Sequence, residues 1–222
     1  MQKVFKLGLF ACLLSILSYL IYMAVIIALA DISHYPVKNI LAKKSESISE
    51  KAAQTAQQKI STSIKLRPGN AEYREYLGRI YYLRALNNQA DPTKYRQYLD
   101  LAYQEHHRAT QLRPQWPYSW ANMALIKSRL QQYDVVFLYS VQQAIEYGPW
   151  EISSNQGLVQ AIFSGWDHMS TQIQQRGINA LERIYQQDRQ AARTLLKHYQ
   201  LSLEVCPKIS NDKLRADKVC HT

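Results

Sequence analysis

Leu66-Arg67-Pro68-Gly69-Asn70, Leu112-Arg113-Pro114-Gln115-Trp116 and the looser Tyr147-Gly148-Pro149-Trp150 punctuate this chain. Each closes a helical pattern, and another begins within ten residues. Proline lacks an N–H, clashes with the preceding turn and pushes the residue before it out of the α region, so a helix stops there. At the start of the next helix it does no harm, because the first N–H groups of a helix have no internal partner. The repetition predicts stacked helix pairs rather than one enzyme-like domain.

Working outward, Asn70 is placed to cap the next helix. Tyr73, Tyr76, Leu77, Ile80, Tyr81, Leu83 and Leu86 follow at helical spacing, and Asn87–Pro92 breaks the run. A helix over about Thr93–Leu112 turns Tyr95, Tyr98, Leu99, Ala102, Tyr103, His106 and Ala109 inward. Pro117 opens another, to about Leu130, and Gln131–Asp134 turns into one that ends at Tyr147. Patterns at Ile152–Phe163, His168–Gln187 and Arg189–Leu203 complete the series. Upstream, the ladder Ile48, Ala52, Ala56, Ile60 and Ile64 predicts one long helix over Ile40–Leu66. No stretch alternates with period two, so no strands are expected.

Residues 7–30 hold no charge and are rich in Leu, Ile, Ala and Val. At about 1.5 Å per residue this run is about 36 Å long, enough to cross a hydrocarbon core of about 30 Å. A cleaved signal peptide is the rival reading, given Lys3, Lys6 and the small-residue look of Ala28-Leu29-Ala30, but the run is too long for a signal h-region. The chain therefore divides into a short cytoplasmic leader (1–6), a transmembrane helix (7–30), a linker and long helix (31–66) and a repeat domain with C-terminal capping helices (67–222). His34-Tyr35-Pro36-Val37 is expected to make a kinked exit from the span.

Lys/Arg counting leaves the orientation open, since Lys38, Lys43 and Lys44 on the far flank offset the leader lysines. Cys206 and Cys220 close a 15-residue loop at the chain's end and are expected to form a disulfide, which persists only in an oxidising compartment. That pairing puts the C-terminal domain in a periplasm-like space, on a single pass through the inner (cytoplasmic) membrane. Beyond the leader, 25 Lys/Arg face 17 Asp/Glu, scattered rather than in runs. Nucleic acid is not expected as a partner; the charge reads either as plain solubility or as attraction to an anionic membrane surface or an acidic polysaccharide.

Residues 70–150 resemble tetratricopeptide repeats. Leu77-Gly78-Arg79-Ile80-Tyr81 matches the Leu-Gly-x2-Tyr part of that signature, and Ala102, Ala109 and Pro114 match its second helix and stop. Trp120, Met123, Ala124, Ala144 and Pro149 carry a second copy. Arg74 and His106 replace the expected Trp and Phe, and Lys127 replaces a Tyr. The 46 residues from Pro68 to Pro114 exceed the repeat length by about twelve, a surplus assigned to a lengthened segment around Asn87–Thr93. The resemblance implies an all-α fold: an N-terminal transmembrane helix followed by an α-solenoid of degenerate helix pairs. Residues 108–122 and Val205-Cys206-Pro207 also resemble a narrower group, the VpsP-like polysaccharide-biosynthesis accessory proteins. That likeness implies a protein partner within exopolysaccharide synthesis or export.

No Gly-rich phosphate loop, G-x-S-x-G elbow or H-E-x-x-H pair occurs, so neither an enzyme nor a cofactor or metal site is expected. His106-His107 reads as one packed and one solvated side chain, and Glu72 and Glu75 as a solvated face. By the family pattern, the first helix of each pair lines a groove. Glu72, Glu75, Arg79, Tyr82 and Leu83 would line it, then Tyr118, Ala121, Leu125, Ser128 and Arg129, then Gln156, Gln160 and Phe163. Arg79, Tyr82, Tyr118, Leu125, Arg129 and Gln160 are the partner-binding candidates, Arg and Tyr being frequent at interface hot spots. Tyr82 and Tyr118 serve equally well as packing between helices. Trp116 and Trp150 occupy equivalent repeat positions, which favours core packing over sugar stacking. Alternatives to the scaffold are an anionic-glycan module and an assembly factor for exported proteins.

Overall fold

A computed structural model of the chain describes residues 2–42 and 48–221. Among these the regular structure is entirely helical. Nine longer helices are α1 (Gln2–Ala42), α2 (Glu50–Leu66), α3 (Ala71–Asn87), α4 (Pro92–Leu112), α5 (Pro117–Arg129), α6 (Val135–Tyr147), α7 (Ile152–Phe163), α8 (Thr171–Gln187) and α9 (Arg189–Tyr199). Short helical turns at Trp166–His168 and from Ser202 to Cys220 supplement them. The starts are chemically marked: Asn70, Asp91, Asp134, Ser170 and Asp188 each accept a backbone N–H in the first turn of the helix they precede.

The segment after the apolar run makes no kinked exit but stays helical. Pro36 does not end α1, which continues to Ala42 and buries Ala30, Val37 and Leu41 against α2 and α3. A proline inside a helix forfeits one hydrogen bond and crowds the carbonyl four residues back; burial on two neighbouring helices outweighs that here. The expected helix over Ile40–Leu66 is likewise two helices, since Ile40 belongs to α1 and Ser49 caps α2 by accepting from the Ala52 N–H at 3.2 Å. Lys43 and Lys44 lie outside the described residues.

Side-chain contacts fix the direction of each helix. Tyr73 Oη donates to Asp31 Oδ1 at 2.6 Å and Arg79 Nη2 to the Leu41 carbonyl at 3.2 Å, so α3 runs parallel to α1. Ser63 Oγ donates to the Ala30 carbonyl at 2.8 Å, while Glu50 pairs with Arg84, so α2 runs antiparallel to both. Arg74–Glu105 and the stacked Tyr81–Tyr98 rings set α4 against α3. Trp120–Tyr139 and Lys127–Asp134 do the same for α6 against α5, and Gln174 and Gln187, bonding the Trp166 and Trp150 carbonyls, for α8 against α7. The odd-numbered helices through α7 therefore point one way and the even-numbered ones back. The corners at 66–70, 112–116, 147–151 and 187–188 share the end where Asp31 lies.

The surplus in the first long unit sits in its helices, not in its loop. α3 is four residues longer than α5 and α4 eight longer than α6, while only Asn88–Asp91 join α3 to α4. Packing explains the glycine in Leu77-Gly78: a Cβ there would stand 2.7 Å from the His106 ring. His106 is fully buried and His107 exposed. Lys127, in place of the aromatic, is buried with its Nζ on Asp134 Oδ2 at 2.6 Å and Gln132 Oε1 at 2.8 Å. At the C-terminus Cys206 and Cys220 are disulfide-bonded. Asp217 clamps the same segment onto α8 and α9 through the Arg193 guanidinium and Tyr185 Oη. The helix expected to reach Leu203 stops at Tyr199, where Gln200 takes the left-handed conformation (φ 55°).

Candidate partner-binding face

Three parallel helices, α3, α5 and α7, carry every predicted groove residue. Their N-terminal ends are tied in sequence. Trp116, just before α5, donates its Nε1–H to Glu75 Oε2 at 2.9 Å, and Tyr118 Oη donates to Glu151 Oε2, just before α7, at 2.5 Å. The Arg113 guanidinium stacks over the Trp116 ring at 3.7 Å, and Tyr118 meets the same ring edge-on. Burial, and after it the bond to Glu151, pushes the Tyr118 hydroxyl up to about 12.

Glu75 corrects the expectation of a solvated acidic face, being buried at 7% exposure. Burial pushes its carboxyl above the usual range, against the pull of the Trp116 N–H and the Arg79 charge. Glu72 is half-buried and accepts from Tyr76 Oη at 3.2 Å. Arg79 is half-buried with its guanidinium spent on the Leu41 carbonyl, tying α3 to the end of α1.

At the other end of the face Tyr82 and Arg129 come together, Arg129 Nε donating to Tyr82 Oη at 3.4 Å. Against the pull of burial, interactions with Tyr82, Tyr199 and Tyr95 raise the Arg129 guanidinium above its ordinary value. Among the described residues no carboxylate lies within ion-pair distance of Arg129. Tyr82, Arg129 and Gln160 are half-buried, leaving part of each open.

Leu125 is corrected outright. At 4% exposure it belongs to the core with Ala121 and Phe163, and cannot touch a partner. Ser128 is buried too, its Oγ donating to the Ala161 carbonyl at 2.7 Å. Trp116 and Trp150 do not share an environment: Trp116 is half-buried, whereas Trp150 is 60% exposed. Pattern reading passed over Tyr95, Tyr199 and the Arg113–Trp116–Glu75 stack. The Arg-x-x-Trp spacing of the corner pointed to the stack; nothing local pointed to the two tyrosines, which come from other helices. No protein-family model matches this sequence, and no curated protein matches it.

Proposed function

We propose that this protein is a membrane-anchored helical scaffold that holds a protein partner against the α3–α5–α7 face, in the assembly or export of a cell-surface polysaccharide. The observation that carries the binding reading is Arg129. A guanidinium without a carboxylate, half-buried and bonded to the Tyr82 phenol, is suited to a carboxylate on an incoming chain, because a charge drawn partly out of water gains from a fixed counter-charge. Tyr82 offers an adaptable hydrogen-bonding group beside it, and Gln160, half-buried on α7, precedes Ala161, whose carbonyl Ser128 of α5 bonds.

The succession of antiparallel pairs from α1–α2 to α7–α8 is consistent with a degenerate tetratricopeptide-like solenoid. α1 is long and apolar enough to cross a bilayer, and its large apolar side chains from Phe5 to Leu29 are left open by the rest of the chain. The disulfide favours an oxidising space for the C-terminal domain. The polysaccharide setting comes from the resemblance of residues 108–122 and 205–207.

Photo-crosslinking in native membranes tests the proposal. A benzoylphenylalanine at Tyr82 or Gln160 is expected to capture one defined protein, and Arg129→Glu to abolish the adduct, while the same probe at Gln104, on the exposed side of α4, captures none. Adducts from Gln104 alone would overturn the assignment of the face. Glycan in place of protein would replace the scaffold with a polysaccharide-binding module.

A further inference from the structure

The corners at Pro68, Pro114 and Pro149 lie at one edge of the domain, and that edge is the one from which α1 departs. α2 meets α1 with Ser63 opposite Ala30, the last residue of the uncharged run. Arg67 and Pro68 lie four and five residues further along, about 6–8 Å beyond that level at about 1.5 Å per residue. Ile26, one turn before Ala30, is the half-covered residue in an otherwise exposed stretch, as a corner reaching below Ala30 requires. The headgroup layer on each side of a bilayer is roughly 5–8 Å thick. The first corner is therefore displaced from the level of Ala30 toward the bilayer by about the thickness of that layer.

The other corners continue the same edge. Asp31 contacts the start of α3, Glu75 the residue before α5, Tyr118 the residue before α7, and Gln187 the Trp150 carbonyl. Their side chains differ from those at the opposite edge. Lys65 and Arg113 are exposed and Arg67 is half-buried beside the Tyr73 hydroxyl; among the described residues none of the three forms an ion pair. Leu112 and Trp150, 44% and 60% exposed, project among them. Of the acids here, Asp31 accepts from Tyr73, Glu72 from Tyr76 and Glu151 from Tyr118, Asp188 caps α9, and exposed Glu146 stands 3.5 Å from Gln143. The turns of the far edge carry Asp91 and Asp134, which cap α4 and α6 and pair with Lys94 and Lys127, and Asp167.

We infer that this edge lies on the bilayer surface, with Arg67 and Arg113 on anionic lipid phosphates and Leu112 and Trp150 in the headgroup region. Tryptophan is at home at that depth, and unpaired basic groups are drawn to an anionic leaflet. The inference rests on the proposal that residues 7–30 span the membrane. The domain is then held down at its edge as well as through its anchor.

The test uses the full chain in vesicles of phosphatidylcholine with or without phosphatidylglycerol. Benzoylphenylalanine is placed at Leu112 or Trp150 on this edge, and at Gln89 or Asp167 on the opposite one. On vesicles containing phosphatidylglycerol, lipid adducts are expected from Leu112 and Trp150 severalfold above those from Gln89 and Asp167. Combining Arg67→Glu with Arg113→Glu, or raising the salt, should cut that yield. If the chain resists alkaline carbonate extraction yet all four positions label alike, the edge stands clear of the bilayer and the inference is wrong. Equal yields with and without phosphatidylglycerol would remove the anionic lipid from it. Release of the chain by carbonate would overturn the membrane-spanning proposal itself, and this inference with it.

Discussion

Replacing His106 by Phe should remove an acid sensitivity built into the packing of α4 on α3. The imidazole is completely buried, neither ring nitrogen has a hydrogen-bond partner, and its Cδ2 and Nε2 press toward Gly78. Burial first, and the Arg79 charge second, hold its pKa down to about 3, from 6.5 for an open histidine. Because the folded-state value is the lower one, the unfolded chain takes up the proton first. The full stability is present above about pH 6.5 and drains away at about 1.4 kcal/mol per unit as the pH falls toward about 3. Between about pH 7.5 and about pH 5 the native protein should lose about 2 kcal/mol through this residue alone. Phe keeps a flat aromatic ring, somewhat larger than imidazole, and carries no proton, so His106→Phe should flatten the pH dependence by that amount. Its stability near neutrality should stay within about 1.5 kcal/mol of the parent. Urea unfolding of the detergent-solubilised chain at the two pH values, followed by circular dichroism, measures the difference. An unchanged pH dependence in the variant would mean that the native imidazole is hydrated or charged, and the argument from burial would fall.

Gly78→Ala gains helix propensity but drives a methyl into the His106 ring, and should cost about 1–3 kcal/mol in the same assay. In a His106→Ala background it should instead stabilise by up to about 1 kcal/mol. Glu75→Gln keeps an acceptor for the Trp116 N–H while removing a charge that burial disfavours. Since that carboxyl titrates above its ordinary value, the gain in stability should be largest at alkaline pH and vanish in acid, where the native side chain is already neutral. Glu75→Leu leaves the Trp116 N–H unpaired and should cost about 1–3 kcal/mol in acid, and less as the pH rises, because the disfavoured charge is removed as well. Reducing the Cys206–Cys220 bond, which closes a 15-residue loop, should lower stability by about 3 kcal/mol on the chain-entropy model. Thermal unfolding with and without reductant, with Cys206→Ser/Cys220→Ser as control, reads that out.

Most helix boundaries were legible because they are written in local chemistry. A proline stop, an Asn or Asp cap and a periodic apolar face act within a few residues of one another, and α3 to α7 follow them closely. The Cys206–Cys220 pairing was legible for a similar reason, the two thiols lying on one short terminal segment. Pro36 was misleading because a local penalty was outweighed by burial of Val37 and Leu41 on helices that come later in the chain. The twelve surplus residues misled in the opposite way: length shows that residues are added but not whether they extend a helix or a loop. The candidate face was the least legible part. Glu75 is buried by a tryptophan forty-one positions away, and Leu125 is covered by α6 and α7. Spacing assigns a residue to a side of its own helix but is silent about what lies opposite. Arg129 and Tyr82 met because both lie near the C-terminal ends of parallel helices.

Because α1 runs without a break into the packing of α2 and α3, the domain has no swivel. A domain on a flexible tether explores a hemisphere above the membrane and finds its partner by search. This one, on the proposed anchoring of residues 7–30, works as a ruler: the α3–α5–α7 face would begin near the lipid surface and end where α3 ends, about 25 Å higher at about 1.5 Å per residue. The proposed partner would have to present its docking segment inside that band. Anchor tilt becomes information as well, since a thinner or thicker bilayer that leans α1 must swing the whole face with it, as a lever turns about its fulcrum.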